Sequence, residues 1–147
     1  MDLPRPEAAS AAPVVLGYEP MDAVHAEFAD VVDRATFCSD GDFPARLDAV
    51  LEHLRAHFAQ EDRWMQETGF PPGDCHQQEH AAVLASAGEV LALPDPALRV
   101  RVGRDFVREL AAWFPGHADH LDSALAAWMC KRLHGGHPVV LHRRSAP

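Results

Sequence analysis

The sequence predicts an all-α fold: an antiparallel up-down four-helix bundle. Three observations predict it. Four amphipathic segments repeat their hydrophobic residues at three- and four-residue steps, short polar breaks join them, and no convincing strand pattern or internal repeat competes. With 147 residues, 48% hydrophobic and 24% charged, the chain has the composition of one globular domain long enough to bury a core.

Residues 1–18 are rich in Ala and Pro without a sustained period, and are expected to form a mobile leader. The first helix begins at Pro20, with Met21, Val24, His25, Phe28, Val31, Val32 and Ala35 on one face. Ser39-Asp40-Gly41-Asp42 ends it and supplies an N-cap for the second, whose first turn holds Pro44. That second helix aligns Leu47, Val50, Leu51, Leu54, His57, Phe58, Glu61, Trp64 and Met65, and Gly69-Phe70-Pro71-Pro72-Gly73 breaks it. The third runs from about Asp74 to Leu91 with His76, His80, Val83, Leu84, Ala87 and Val90. Asp95 caps the fourth and Pro96 takes its first position. The fourth carries Val102, Phe106, Leu110, Trp113, Phe114, His117, Leu121, Leu125 and Trp128 and is expected to stop at Gly135-Gly136. Pro115 inside it removes a hydrogen bond to the Ala111 carbonyl, which predicts a bend immediately before His117. The bundle is thus expected over 19–134 and a tail over 135–147.

Charge and cysteine usage narrow the function classes. A net charge of −9 disfavours nucleic acid or an anionic membrane as partner. No apolar run approaches the ~18 residues of a membrane span, and the N-terminus lacks the basic and apolar regions of a secretion signal. Cys38, Cys75 and Cys130 are odd in number and widely spaced, which suits a reducing, cytoplasmic location better than a disulfide framework.

The ten histidines are the distinctive feature. His25 lies on the apolar side of the first helix. His57 and Glu61 are four residues apart on the second, as are His76 and His80 on the third, and His117 and Asp122 are five apart on the fourth. At this histidine density any one pair arises readily by chance; one set on each of four successive apolar faces does not. Seven inward ionisable groups would each cost several kcal/mol if left unpaired, as an estimate of the order of ~3 kcal/mol or more, unless something neutralises and orders them. Metal ions do this, and seven ligands suit a dinuclear centre better than a single ion.

These residues are similar to a known family. Met21-Asp22-Ala23-Val24-His25-Ala26-Glu27-Phe28, His57-Phe58-Ala59-Gln60-Glu61-Asp62, His76-Gln77-Gln78-Glu79-His80 and Trp113-Phe114-Pro115-Gly116-His117 leading to Asp122 resemble the hemerythrin family in its single-domain bacterial form, over roughly residues 17–133. The resemblance implies two iron ions, cycling between Fe2+ and Fe3+, with an oxo or hydroxo bridge. It assigns His76, His80 and His117 to one iron, His25 and His57 to the other, and Glu61 and Asp122 to both as bridges. It also implies dioxygen, or small anions in its place, as ligand at the two-histidine iron. Phe28, Phe58, Trp113, Phe114, Ala118 and Leu121 are the candidate pocket wall around that position, with Ala118 standing where the family commonly has a bulky aliphatic.

The function expected on that basis is reversible dioxygen binding, as carrier, store or sensor, by a protein that is not itself an enzyme. The alternative is a di-iron enzyme acting on peroxide or nitric oxide, for which no extra acid or base group is identifiable. A ferritin-like oxidase needs Glu-x-x-His on two helices, and no histidine here has a glutamate three residues before it. A c-type haem bundle needs CxxCH, which is absent. His53 reads as a partly solvated helix residue, and His120 as surplus to the site. His134, His137 and His142 read as solvated residues at or near the tail, and Cys75 as a thiol of no assigned role.

Overall fold

The computed structural model describes residues 11–133. The first ten residues of the expected leader and the whole expected tail lie outside them, as do His134, His137 and His142. Among the described residues the chain is helical, with α1 over Glu19–Phe37, α2 over Phe43–Thr68, α3 over Gly73–Leu91 and α4 over Pro96–His117. A π-helical turn, Ala118–Asp122, joins α4 to α5 over Ser123–Leu133, so the expected fourth helix is one run of three segments.

The order of buried side chains along each helix reveals the up-down topology. One apolar cluster contains Val32, Leu47, Leu51, Leu54, Val107 and Leu110, and a second contains Tyr18, Met21, Met65, Leu125 and Ala126. α1 runs from Met21 in the second cluster to Val32 in the first, and α2 returns from Leu47 to Met65. α3 leads back to Ala87 and Val90 in the first cluster. The fourth run then descends from Val107 to Leu125. The buried histidines and carboxylates lie between Met21 and Phe28 on α1, between Leu54 and Met65 on α2 and between Phe114 and Leu125 in the fourth run, and α3 places His76 and His80 before Ala87 and Val90 of the first cluster. The bundle core therefore has three layers: apolar, ionisable, apolar.

The breaks between helices are chemically explicit. Gly69 ends α2 at φ 65°, and its backbone N–H donates to the Met65 carbonyl, the left-handed ending that glycine adopts without a Cβ penalty. Asp95 caps α4 as expected, accepting from the Ala97 N–H at 3.1 Å. Before α2 the segment Ser39–Asp42 acts through Ser39, which accepts from the Asp42 N–H through its hydroxyl and from the Phe43 N–H through its carbonyl, while Asp42 itself makes no side-chain cap bond. Arg104 on α4 then ties this loop down, donating to Asp40 and to the Cys38 carbonyl at 2.9 Å each, with its guanidinium 4.7 Å above the Phe43 ring.

The irregularity in the fourth run falls later than the sequence suggests. α-Helical geometry persists through Pro115 to His117, and the hydrogen-bond step lengthens only at Ala118, where the Ser123 N–H donates to the Ala118 carbonyl. Pro115 and Gly116 are exposed and Ala111, whose carbonyl the proline leaves without its helical partner, is only partly buried. The π turn has a direct consequence. Residues five apart on a regular α-helix diverge by about 140°, whereas the wider turn brings His117 and Asp122 to one face.

Residues 11–18 of the expected leader lie along α1. The Ala11 N–H donates to Asp33 at 2.7 Å, the Leu16 and Gly17 N–H groups donate to Asp22 at 2.7 and 3.0 Å, and Tyr18 is buried.

α4 packs tightly against α2 at Gly103, where a Cβ would stand 2.8 Å from Phe43 Cε1 and 3.2 Å from Leu47 Cδ2. Gly103→Ala is expected to lower the unfolding free energy by about 1 kcal/mol, because forcing the enclosed Phe43 ring aside costs more than the gain in helix propensity. Urea unfolding of the two proteins checks this, and an unchanged or higher midpoint would show that the ring yields freely.

Candidate metal centre

His25 comes from α1, His57 and Glu61 from α2, His76 and His80 from α3, His117 from the end of α4, and Asp122 from the π turn. None is more than 3% exposed. The i, i+4 spacing sets the α2 and α3 pairs on single faces, and the π turn does the same for His117 and Asp122. The structure thus brings all seven residues singled out in the sequence into one layer.

Their donor atoms converge. Glu61 Oε2 lies 2.6 Å from His57 Nε2, and Glu61 Oε1 3.4 Å from His76 Nε2. Asp122 Oδ1 lies 2.8 Å from His76 Nε2 and 3.0 Å from His117 Nε2, while Oδ2 is 3.2 Å from His25 Nε2. Despite these separations, Nε2 of His25, His57 and His76 and all four carboxylate oxygens of Glu61 and Asp122 have no partner in hydrogen-bond geometry. They point toward common centres rather than at one another. Buried polar atoms without partners are costly, and such a concentration of them is what a cation would satisfy. Two overlapping sets of donors each lie within 4.8 Å: Glu61, His76, His80, His117 and Asp122, and His25, His57, Glu61 and Asp122. The two carboxylates belong to both.

The outward ring nitrogens explain why the donors point inward. His80 Nδ1 donates to Asp62 at 2.8 Å, His117 Nδ1 donates to Glu79 at 2.9 Å, and His25 Nδ1 donates to the Val14 carbonyl at 3.2 Å. Each bond leaves the Nε2 lone pair free for the interior. For His80 and His117 this sets two lone pairs 3.3 Å apart, a repulsive arrangement that a shared cation relieves.

Electrostatics follow the same pattern. Burial disfavours charge on His76, but the carboxylates of Asp122 and Glu61 outweigh it and push that imidazole up to about 9. Burial, reinforced by His76 and His117, pushes His80 down to about 2. Burial also opposes the Asp122 carboxylate, yet His117, His25 and His76 hold it well below the usual range. A metal held by these residues would take the neutral form of His76, so it would compete with protons for that imidazole.

The six candidate wall residues divide between the two halves rather than enclosing one position. Phe114 packs edge-on to His25 with centroids 5.0 Å apart, and Phe28 lies 4.1 Å from Phe114 and 6.2 Å from His57, so both border the two-histidine half. Phe58 stacks on His80 at 4.1 Å and also lies 5.3 Å from His57, so it borders both halves, while Trp113 lies over His117 at 4.3 Å against the three-histidine half. Ala118 is fully buried in the cluster that holds Phe28 and Phe114, and Leu121 is half-buried. Trp113 also lines a groove of about 310 Å³ with Val83, Phe106 and Leu110.

Of the residues set aside in the sequence, His120 is exposed, as is Cys75. His53 is more enclosed than a solvated helix residue: its side chain is 10% exposed, its Nε2 is buried without a partner, and burial together with His57 and His25 pushes it down to about 4. Sequence reasoning missed Asp62, Glu79 and the Val14 carbonyl. Asp62 and Glu79 do stand beside ligands, in Glu61-Asp62 and Glu79-His80, but adjacency along a helix points to a different face, and only tertiary packing returns them to the histidine rings.

A four-helix bundle whose core layer is made of histidines and shared carboxylates defines the class: a metal-binding bundle of the non-haem kind. Residues 16–129 match the family described as Hemerythrin HHE cation binding domain. A bacteriohemerythrin from Ralstonia nicotianae is 40% identical over 120 residues, covering 80% of this chain and 85% of its own length. No solved structure matches the chain. The chain belongs to the hemerythrin family, and that membership implies non-haem iron binding. Among the described residues no helix is long and apolar enough to cross a membrane.

Two outcomes follow from this geometry. Glu61→Ala removes a carboxylate common to both donor sets, and iron per purified chain is expected to fall below half the parent value with helical content unchanged; full iron retention would contradict the shared role. Iron removal is expected to lower the thermal midpoint by at least about 5 °C at neutral pH, since ligand binding to the folded state at ~100-fold its Kd contributes about 2.7 kcal/mol. Equal midpoints by calorimetry would contradict a buried site.

Proposed function

We propose that this chain binds dioxygen reversibly at a di-iron centre, as carrier, store or sensor rather than as an enzyme. The observation that carries the proposal is the membership of Glu61 and Asp122 in both donor sets. Seven protein ligands exceed what one ion takes, and two carboxylates common to both sets suit a pair of ions bridged by them. In this reading His76, His80 and His117 would hold one iron, His25 and His57 the other, and Glu61 and Asp122 would serve both. The fit to iron rests on the donors themselves: imidazole nitrogens with aligned lone pairs, carboxylates whose charge offsets the cations, and buried polar atoms otherwise without partners.

When bound, two irons supply the electrons that dioxygen takes up on binding and returns on release. The chain's own contribution is to protect that exchange. The half with two histidines has one fewer protein ligand than the other, which leaves room for a small ligand there. Phe28 and Phe114, both nearly fully buried, present ring edges and faces to His25 and His57 and supply no proton. An apolar border of this kind excludes water from that side of the layer. Ala118, buried in the same cluster, adds a methyl group to the border. The name of the Ralstonia relative and the family match support an iron site that meets dioxygen, and small anions would compete for the same position. The negative charge of the chain argues against nucleic acid as partner, and its cysteine usage fits the cytoplasm.

The test is the absorption spectrum of iron-loaded protein in air, after anaerobic reduction, and after oxygen is readmitted. The expected result is ligand-to-metal charge-transfer bands that vanish on reduction and return with oxygen over several cycles, with no haem bands. Bands that fail to return, or steady consumption of peroxide or nitric oxide with a reductant, would contradict reversible binding and favour the enzymatic alternative.

A further inference from the structure

The two halves of the centre are held differently from outside. In the three-histidine half, two rings donate to carboxylates carried on helices: His80 to Asp62 at 2.8 Å and His117 to Glu79 at 2.9 Å. Glu79 is itself oriented by the Trp113 indole, which donates to the same oxygen at 3.0 Å. Both rings are also clamped by an aromatic face, Phe58 against His80 and Trp113 against His117. Each half has one ring whose outer nitrogen is buried without a partner, His76 Nδ1 in the three-histidine half and His57 Nδ1 in the two-histidine half, so no carboxylate backs any ring of the two-histidine half. His25 donates to the Val14 carbonyl, a neutral acceptor at the longer distance of 3.2 Å. Val14 belongs to the non-helical strap 11–18, and what fastens that strap beside it is the Asp22 carboxylate, which receives the N–H groups of Leu16 and Gly17.

A carboxylate behind an imidazole makes the ring a better metal donor and fixes its tautomer and orientation; a neutral carbonyl on a coil does less of each. We propose that Asp62 and Glu79 are positioning residues that make the three-histidine half the tighter of two metal subsites. The two-histidine half, whose outer support is the strap, fills second and empties first. This inference rests on the two-metal reading above. It makes the strap, through Asp22 and the Val14 carbonyl, the element that governs metal retention at the half proposed to meet dioxygen.

The experiment loads the full-length, iron-free protein with cobalt(II), then follows the loss of cobalt d–d absorption after excess EDTA is added. The parent protein is expected to bind two cobalt ions and to release them in two phases of one ion each. Asp62→Asn and Glu79→Gln, both at partly exposed carboxylates and close in shape to the parent residues, should speed the slow phase about tenfold or more while leaving the fast phase within about twofold. Asp62→Glu, which keeps the charge, should restore much of the slow phase. Asp22→Ala should speed only the fast phase. A general loss of structure would accelerate both phases together, so that pattern in any of these variants overturns the assignment, as does an effect of Asp62→Asn or Glu79→Gln on the fast phase alone, or no effect at all. Two ions bound by the parent with these reversed or absent effects would sink the subsite assignment alone; fewer than two would overturn the two-metal reading, and the assignment with it.

Discussion

Everything in this bundle depends on one constraint: a complete layer of the core is made of ionisable side chains. His25, His57, Glu61, His76, His80, His117 and Asp122 are almost wholly removed from water, and an unpaired charge in such a place costs several kcal/mol, of the order of ~3 or more. The apolar clusters above and below the layer account for the bundle's cohesion but also deepen this penalty, because they exclude the water that would otherwise solvate it. The structure meets the penalty in two ways. Outward ring nitrogens of three histidines are satisfied by Asp62, Glu79 and Val14, and inward atoms converge where a cation would satisfy them. A bundle of this sequence is therefore one whose full stability is tied to its metal.

Helix geometry is bent to serve the layer. Four residues along an α-helix return to one face, and α2 and α3 use that spacing for their paired ligands. The fourth run cannot, because its two ligands are five apart, and it widens into a π turn between them. A π turn forgoes good hydrogen-bond geometry and is rare outside functional sites, so its position between His117 and Asp122 reads as a cost accepted for ligand placement. Pro115, which on sequence grounds looked like the disruptive residue, is carried on an exposed face within regular helix.

How much of this was legible in the sequence follows from the range of the interactions involved. The helices and their apolar faces were legible because periodicity is local, and so were six of the inward residues, since each lies on such a face; Asp122, five after His117, reaches that face only through the π turn. The cap before α2 shows how far local reasoning reaches: the segment Ser39–Asp42 was legible as the cap, but which of its residues makes the bonds, Ser39, was not. The residues that orient the ligands were not legible. Glu79 reaches His117 on α4 from α3, Asp62 reaches His80 on α3 from α2, and Val14 reaches His25 from a segment without periodicity. Each is a contact between elements, and its partner cannot be read from spacing along one chain. The division of the aromatic wall had the same cause. Phe58 and Trp113 are adjacent or near to ligands in sequence, but the Trp113 ring falls over His117, and the Phe58 ring stacks on His80 while still lying 5.3 Å from His57.

The central claim is that one ionisable layer holds two metal ions that share Glu61 and Asp122. The most direct measurement is diffraction at the iron absorption edge from crystals of the iron-loaded protein. The account predicts two anomalous peaks per chain, one within bonding distance of His76, His80 and His117, the other of His25 and His57, and both of Glu61 and Asp122. A single peak, or two peaks of which one lies outside this layer, would contradict it.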